Sequence, residues 1–292
     1  MPSLLLASFI WAFSFPLIGH FITLEMDSFF AAFAKVFLSL LVFLPFLNFK
    51  INLYLKLKLI SIGALQLGVM NLFYYHSFLY LSVSEVALFT IFTPFYVVLF
   101  YGLFSKNLRY LYFISIFICI MGAFVVKFDN INSNFLYGFL LIQGANLVFG
   151  AGQSFYKILL EKNANLSQKE AFSYFYLGAT SITLPAFLFF GDYNNLPSNL
   201  SSWIALIYLG TIASGFGYFL WNKGSTEVDS GVLALMNNAI IPISIFINMS
   251  IFGVDVELLP FCIGTLIILF SFFIHKKIMH CYNKKSYSNT NH

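Results

Sequence analysis

Apolar runs of about twenty residues, parted by short polar breaks, repeat from one end of this chain to the other. Ten can be drawn, at 3–22, 28–47, 58–80, 84–105, 109–127, 135–157, 170–190, 202–222, 230–252 and 257–275. Each is long enough to cross a hydrocarbon core of about 30 Å as a helix. The pattern also repeats at long range. The stretch from Gln66 to Phe104 ends one run, turns at Leu81 to Ser84 and enters another. Its Leu72, Ser77, Ser82, Pro94 and Phe104 recur as Leu220, Ser225, Ser230, Pro242 and Phe252, at one constant spacing. The pattern predicts an all-α integral membrane protein of ten transmembrane helices, built as two five-helix repeats. The first repeat occupies residues 1–130 and the second 131–280, followed by a disordered Lys-, Asn- and Ser-rich tail at 281–292.

Charge sets the orientation of this plan. With the N-terminus in the cytoplasm, the inner loops hold Lys50, Lys56, Lys58, Lys106, Arg109, Lys157, Lys162, Lys169 and Lys223, and the tail adds Lys276, Lys277, Lys284 and Lys285. The outer loops hold Lys127 alone among the cations, together with Glu25, Asp27, Asp129, Asp192, Asp255 and Glu257. Such a bias places both termini inside. Five crossings per repeat then make the second copy inverted relative to the first.

Composition agrees. Hydrophobic residues make up 60% of the chain and charged residues 9%, whereas about a quarter of a soluble domain is charged. The net charge of +4 comes from loop lysines and gives no footprint for nucleic acid. Cys119 and Cys262 fall inside apolar runs and Cys281 in the basic tail, so neither a disulfide framework nor a metal site is expected. No cofactor motif is present. The chain enters its first run at once, which predicts a retained first helix rather than a cleaved signal.

The candidate chemistry lies where polar groups interrupt the runs. A mid-helix proline cannot donate to the carbonyl four residues back, so Pro94 frees that of Thr90 and Pro242 that of Asn238. Thr93 stands beside the first break, and Asn237 with the Asn238 side chain beside the second. Lipid satisfies none of these groups, so they must face protein or a wet cavity. Paired breaks in two halves point to a transporter's substrate site. Gln143, Asn146, Gly150, Gln153 and Lys157 share one face of the sixth run, either as glue between helices or as the wall of a polar path. The third run brings Gln66 and Asn71 to middle depth and ends in Tyr74, Tyr75 and His76. Trp11, Ser14 and Pro16 occupy the first, where the proline either kinks the helix or closes a small-residue contact.

Lys35 lies well inside the second run, on the order of 10 Å from its outer end, as a functional cation or one snorkelling to the interface. With His76 and Glu85 it forms an outer set, read either as a gate or proton-linked cluster or as hydrated interface. Trp221, Asn222 and Lys223, near Glu227 and Asp229, form the matching inner gate or plain interfacial anchors.

The plan resembles the drug/metabolite transporter superfamily, in particular its EamA-type members. The stretch from Phe9 to Phe15 looks like the Trp-Gly-small-Asn-Phe segment of that family's first helix, with Ala12 where Gly is usual. Ala31 to Leu38 is similar to its second helix, with Lys35 where Arg is usual, and the Ser82–Pro94 and Ser230–Pro242 spacings match both repeats. The resemblance implies a bacterial inner-membrane transporter with a cavity between the third, fourth, eighth and ninth helices, helped by the first and sixth. The residues predict a monomeric secondary transporter that moves a polar or zwitterionic metabolite, an amino acid or relative, by alternating access. Thr90, Asn237, Asn238, Asn146 and Gln153 would bind it, with Trp11 and Tyr74 as walls. Its partners would be that solute and the lipid bilayer. The rivals are an exporter of drugs or other hydrophobic metabolites and an intramembrane enzyme, which lacks any carboxylate pair, metal cluster or nucleophile elbow in the runs.

Overall fold

The computed structural model describes residues 1–14, 17–18, 26–127, 135–252 and 256–289. Phe15, Pro16 and the acidic residues Glu25, Asp129 and Asp255 lie outside the described residues, and with them the question of a kink at Pro16.

Every regular element among the described residues is helical. α1 spans Pro2–Ala12, and α2 spans Ser28–Phe43 before tightening into a 3₁₀ turn at Leu44–Phe46. α3 runs Leu53–Ser77 and α4 Val83–Phe104. α5 is Tyr112–Lys127, α6 Leu136–Lys162 and α7 Gln168–Phe190. α8 is Leu200–Glu227, α9 Ser230–Phe252 and α10 Leu258–Asn289. Seven helical stretches among these residues are long and apolar enough to cross a membrane: α2 with its 3₁₀ turn, α3, α4, α7, α8, α9 and α10. α1 and α5 are shorter apolar helices.

Several helices outrun the apolar stretch that predicted them, because a helix ends where its backbone is broken or capped, not where hydropathy falls. α6 continues to Lys162 and α8 to Glu227. α10 continues to Asn289, into the segment at 281–292 expected as a disordered tail; beyond Gly264 it meets no Gly or Pro that would stop it.

Local sequence explains the starts. Asp27 accepts from the Phe30 amide at the head of α2, and Asn52 from the Tyr54 amide at the head of α3. Ser82 and Glu85 cap α4 reciprocally: each side chain accepts the other's backbone N–H.

The surface is apolar and the interior holds the amides. Phe189, Phe190, Leu259 and Leu266 are among many large side chains left exposed, whereas Gln66, Asn71, Gln153 and Asn222 are fully buried. That inversion suits lipid outside. Helix pairs half a chain apart meet: α2 packs on α7, α5 on α10 and α4 on α9. Close approach is made by small residues. A Cβ on Gly63 would strike the Phe175 backbone, and one on Gly178 the Ile60 backbone, so α3 and α7 touch main chain to main chain.

Candidate functional site

α4 is broken. Its α segment Val83–Phe89 gives way to a 3₁₀ turn at Thr90–Phe92, and a second α segment starts at Thr93 with Pro94 in its first turn, where a missing N–H costs nothing. The loosened carbonyls are taken by side chains. Asn146 Nδ2 donates to the Phe89 carbonyl at 2.8 Å, and Gln143 Nε2 to the same oxygen at 3.1 Å. Thr93 Oγ1 donates to the Thr90 carbonyl at 2.8 Å, and Asn238 Nδ2 reaches across from α9 to the Ile91 carbonyl at 3.0 Å. The proline of α9 behaves differently: Pro242 sits inside an uninterrupted helix.

Two other helices are widened into π turns, at Ala64–Val69 in α3 and Tyr208–Phe216 in α8. Such turns leave backbone groups for side chains. Ser39 Oγ donates to the Gly210 carbonyl at 2.7 Å, Trp11 Nε1 to that of Ala213 at 2.7 Å, and Tyr176 OH to that of Ser214 at 2.6 Å. Gly217 lets the Trp11 indole lie against α8, since a Cβ there would meet its Nε1. Gln66, within the α3 π turn, exchanges two amide hydrogen bonds with Asn222 of α8 at 3.0 and 3.2 Å.

Between α1, α2, α3, α4, α6, α8 and α9 lies a cavity of about 150 Å³. Of the residues singled out from sequence, Trp11, Lys35, Tyr74, Thr90, Asn146 and Asn237 line it, as do Ser14, Thr93 and Trp221, which the sequence marks without assigning them to the substrate. Asn238 and Gln153 do not. Asn238 is spent on the Ile91 carbonyl, and Gln153 lies behind the wall, where its Oε1 accepts from Trp221 Nε1 at 3.0 Å and faces Asn237. The structure adds Phe149 and Tyr218 to the lining. Trp221 and Asn222, expected at the membrane surface, are fully buried, because α8 runs past them to Glu227. The rings of Trp11, Trp221 and Tyr218 cluster, with centroids 4.9 Å and 4.7 Å from that of Trp11. Of these three rings the sequence singles out Trp11 as a wall and Trp221 as a gate or anchor, and nothing in it separates Tyr218 from the other tyrosines.

The expected gates are not assembled as such. Lys35 Nζ lies 3.2 Å from Asn71 Oδ1, Glu85 serves the cap with Ser82, and His76 packs against Phe29 and Tyr80. Lys223 is exposed. Lys157 takes the inner position instead: its Nζ bonds the Ser225 and Val228 carbonyls at 2.9 and 2.6 Å and pairs with Glu161 at 2.8 Å. Glu227 holds the N-terminal ammonium at 3.1 Å. Asp229 Oδ1 accepts from the Gly231 and Val232 amides and lies 3.0 Å from His275 Nε2. Burial works against ionisation of Asp229, but the hydrogen bond and charge of His275 and the two amides prevail and hold its carboxyl below the ordinary value.

The chain matches the EamA-like transporter family twice, over residues 2–128 and 136–275. A biotin transporter of Salmonella typhimurium is 39% identical over 282 residues, covering 95% of this chain and 93% of its own. The biotin transporter of Escherichia coli K12 matches equally well, and a probable biotin transporter of Pseudomonas aeruginosa is 38% identical over 278 residues, covering 94% and 97%. A solved crystal structure of a protein aligns over 93% of this chain and 95% of its own with a TM-score of 0.75; at 16% identity the likeness is one of fold. The chain is a multi-pass membrane protein and belongs to the EamA-like transporter family, which makes it a transporter and not an enzyme.

Proposed function

We propose that the protein is a secondary transporter that carries biotin across the bacterial inner membrane. The observation that carries this reading is the cavity wall, which joins a cluster of aromatic rings to amides and hydroxyls and is supplied by helices from both halves of the chain. Biotin offers a flat-sided bicyclic ring for aromatic contact and a ureido group that both donates and accepts. Asn146, Asn237, Thr90 and Thr93 bear complementary groups. The names of relatives that align over nearly the whole chain point to the same solute.

The amino acid expected from sequence fits this wall less well. An ammonium group needs a carboxylate or a cage of acceptors, and the described lining contains no Asp or Glu. Its one charged member is Lys35.

In this reading ten crossings form two inverted five-helix halves, with both termini in the cytoplasm, and the halves exchange conformations to expose the cavity to each side in turn. Three observations support it. The family match falls twice on the chain, π turns interrupt both α3 and α8, and the inner loops gather the lysines. The test is uptake of labelled biotin by proteoliposomes of the purified protein. Saturable uptake, competed by unlabelled biotin and not by amino acids, is expected. Absence of uptake, or equal competition by amino acids, overturns the assignment.

A further inference from the structure

Two buried lysines invite comparison. Lys157, 2% exposed, is fully engaged by two carbonyls and the Glu161 carboxylate. The ammonium of Lys35, 6% exposed, has one hydrogen bond among the described residues, to the neutral Asn71 amide oxygen. Among the described residues no carboxylate lies within 4.0 Å of it. The faces of Tyr75 and Tyr218 lie 5.4 and 5.7 Å from its ammonium.

A buried cation is costly unless paired, and an ammonium has three protons to donate. Asn71 accepts one. The arrangement is therefore incomplete by an anion, and Lys35 faces the cavity through which the solute would pass. A second observation points the same way. Ser14 Oγ, in the cavity wall, and Tyr75 OH, on a ring beside Lys35, are buried hydroxyls without a hydrogen-bond partner among the described residues. Leftover donors, one in the wall of the same cavity and one on a ring beside the cation, suit a carboxylate's several lone pairs.

We propose that Lys35 is the anchor for the substrate's carboxylate and that the transporter therefore selects the free acid over its uncharged derivatives. The inference rests on the biotin reading above. It assigns the valerate end of the solute to α2 and leaves the ureido end to the amides of α6 and α9. Lys35 is then a specificity determinant, not a proton carrier or an interfacial anchor.

The experiment is titration calorimetry on the purified protein in lipid nanodiscs, with biotin and biotin methyl ester as probes, on the wild type, Lys35→Met, Lys35→Gln and Lys35→Arg. The wild type should prefer the acid by about tenfold or more, as expected for a charge-assisted contact of about 1.4 kcal/mol. Lys35→Met and Lys35→Gln should bind the two probes alike, with ester affinity unchanged, and Lys35→Arg should retain the preference. Unchanged ester binding also reports a folded site. Equal binding of acid and ester by the wild type overturns the anchor while leaving the biotin reading intact, as does a preference that survives both neutral variants. Loss of both probes in both neutral variants assigns the lysine to the fold and overturns it too. A wild type that binds neither probe removes the biotin reading and the anchor with it.

Discussion

α4 and α9 carry a proline at matching positions, yet only α4 is broken. The difference lies in what receives the released carbonyls. Around α4, Gln143 and Asn146 of α6, Thr93 of α4 itself and Asn238 of α9 all donate to the turn at Phe89 to Ile91. In α9, the Asn237 amide donates back to Leu233, one turn earlier in the same helix. Proline withholds an N–H in both places; neighbouring amides decide whether the helix opens around it. The break in α4 is thus a property of three helices.

The largest effect should come from removing those donors. Asn238→Leu leaves the Ile91 carbonyl without its partner, and Asn146→Leu removes a bond to Phe89 and the acceptor of Thr93 Oγ1 at 3.0 Å. Each should cost about 1–3 kcal/mol, read as a lowered thermal unfolding temperature in detergent. Asn237→Leu should cost less, because the Leu233 carbonyl also belongs to its own helix ladder, while biotin uptake falls. An Asn238→Leu protein as stable as wild type would show that α4 holds its break without α9.

Next come the prolines themselves. Pro94→Ala restores a donor to the Thr90 carbonyl, which Thr93 already satisfies, and favours a straight α4. Transport should drop severalfold with little change in stability. Pro242→Ala sits in a helix that is already continuous and should stabilise it, by at most about 3 kcal/mol, with transport nearly unchanged. Equal losses of uptake in the two variants would mean that α9 also bends during the cycle.

The two helix starts sharpen the contrast further. α9 is capped by Asp229, whose carboxylate is tied to His275 of α10 as well as to two amides. A carboxyl held below its ordinary value of 3.8 stabilises the fold while ionised, so its contribution is present above that value and is lost as pH falls below it. Asp229→Asn keeps a capping oxygen but loses the charge that faces His275 and the start of α9, and should lower the unfolding temperature at neutral pH by the equivalent of about 0.3–1 kcal/mol. The wild-type and variant curves should run parallel down to about pH 3.8 and converge below it, and a gap that persists undiminished well below that pH would remove the carboxylate from the account.

Much of this could be read from the chain and some could not, for a physical reason. Apolar runs report membrane depth directly, and the spacing of Gln143, Asn146, Gln153 and Lys157 gave their common face on α6. Which carbonyl an amide serves depends on partners as far off as Ile91 from Asn238, and no local pattern carries that. Asn238 and Gln153 were therefore expected in the cavity and stand behind it. The π turns of α3 and α8 have no proline to announce them. Lys35 shows the opposite case: its depth in α2 was plain from sequence, and only its neighbours decide between snorkelling and a buried role.

The smallest effect is expected at the start of α4. Glu85 was a candidate proton carrier in the sequence, yet its Oε2 accepts from the Ser82 amide at 2.8 Å and the Ser82 hydroxyl at 3.0 Å. That is helix-capping geometry, and glutamine fills the same place in such boxes. Glu85→Gln should therefore change stability by only a few tenths of a kcal/mol, close to the loss of an acidic residue from a helix N-terminus. The pH profile of biotin uptake in proteoliposomes should be superimposable on that of the wild type. A profile flattened by this single change would return Glu85 to proton coupling, and would mean that the cap opens in another conformation of the cycle. The break in α4 would then begin at its N-terminus, and the difference from α9 would lie in the cap rather than in the amides.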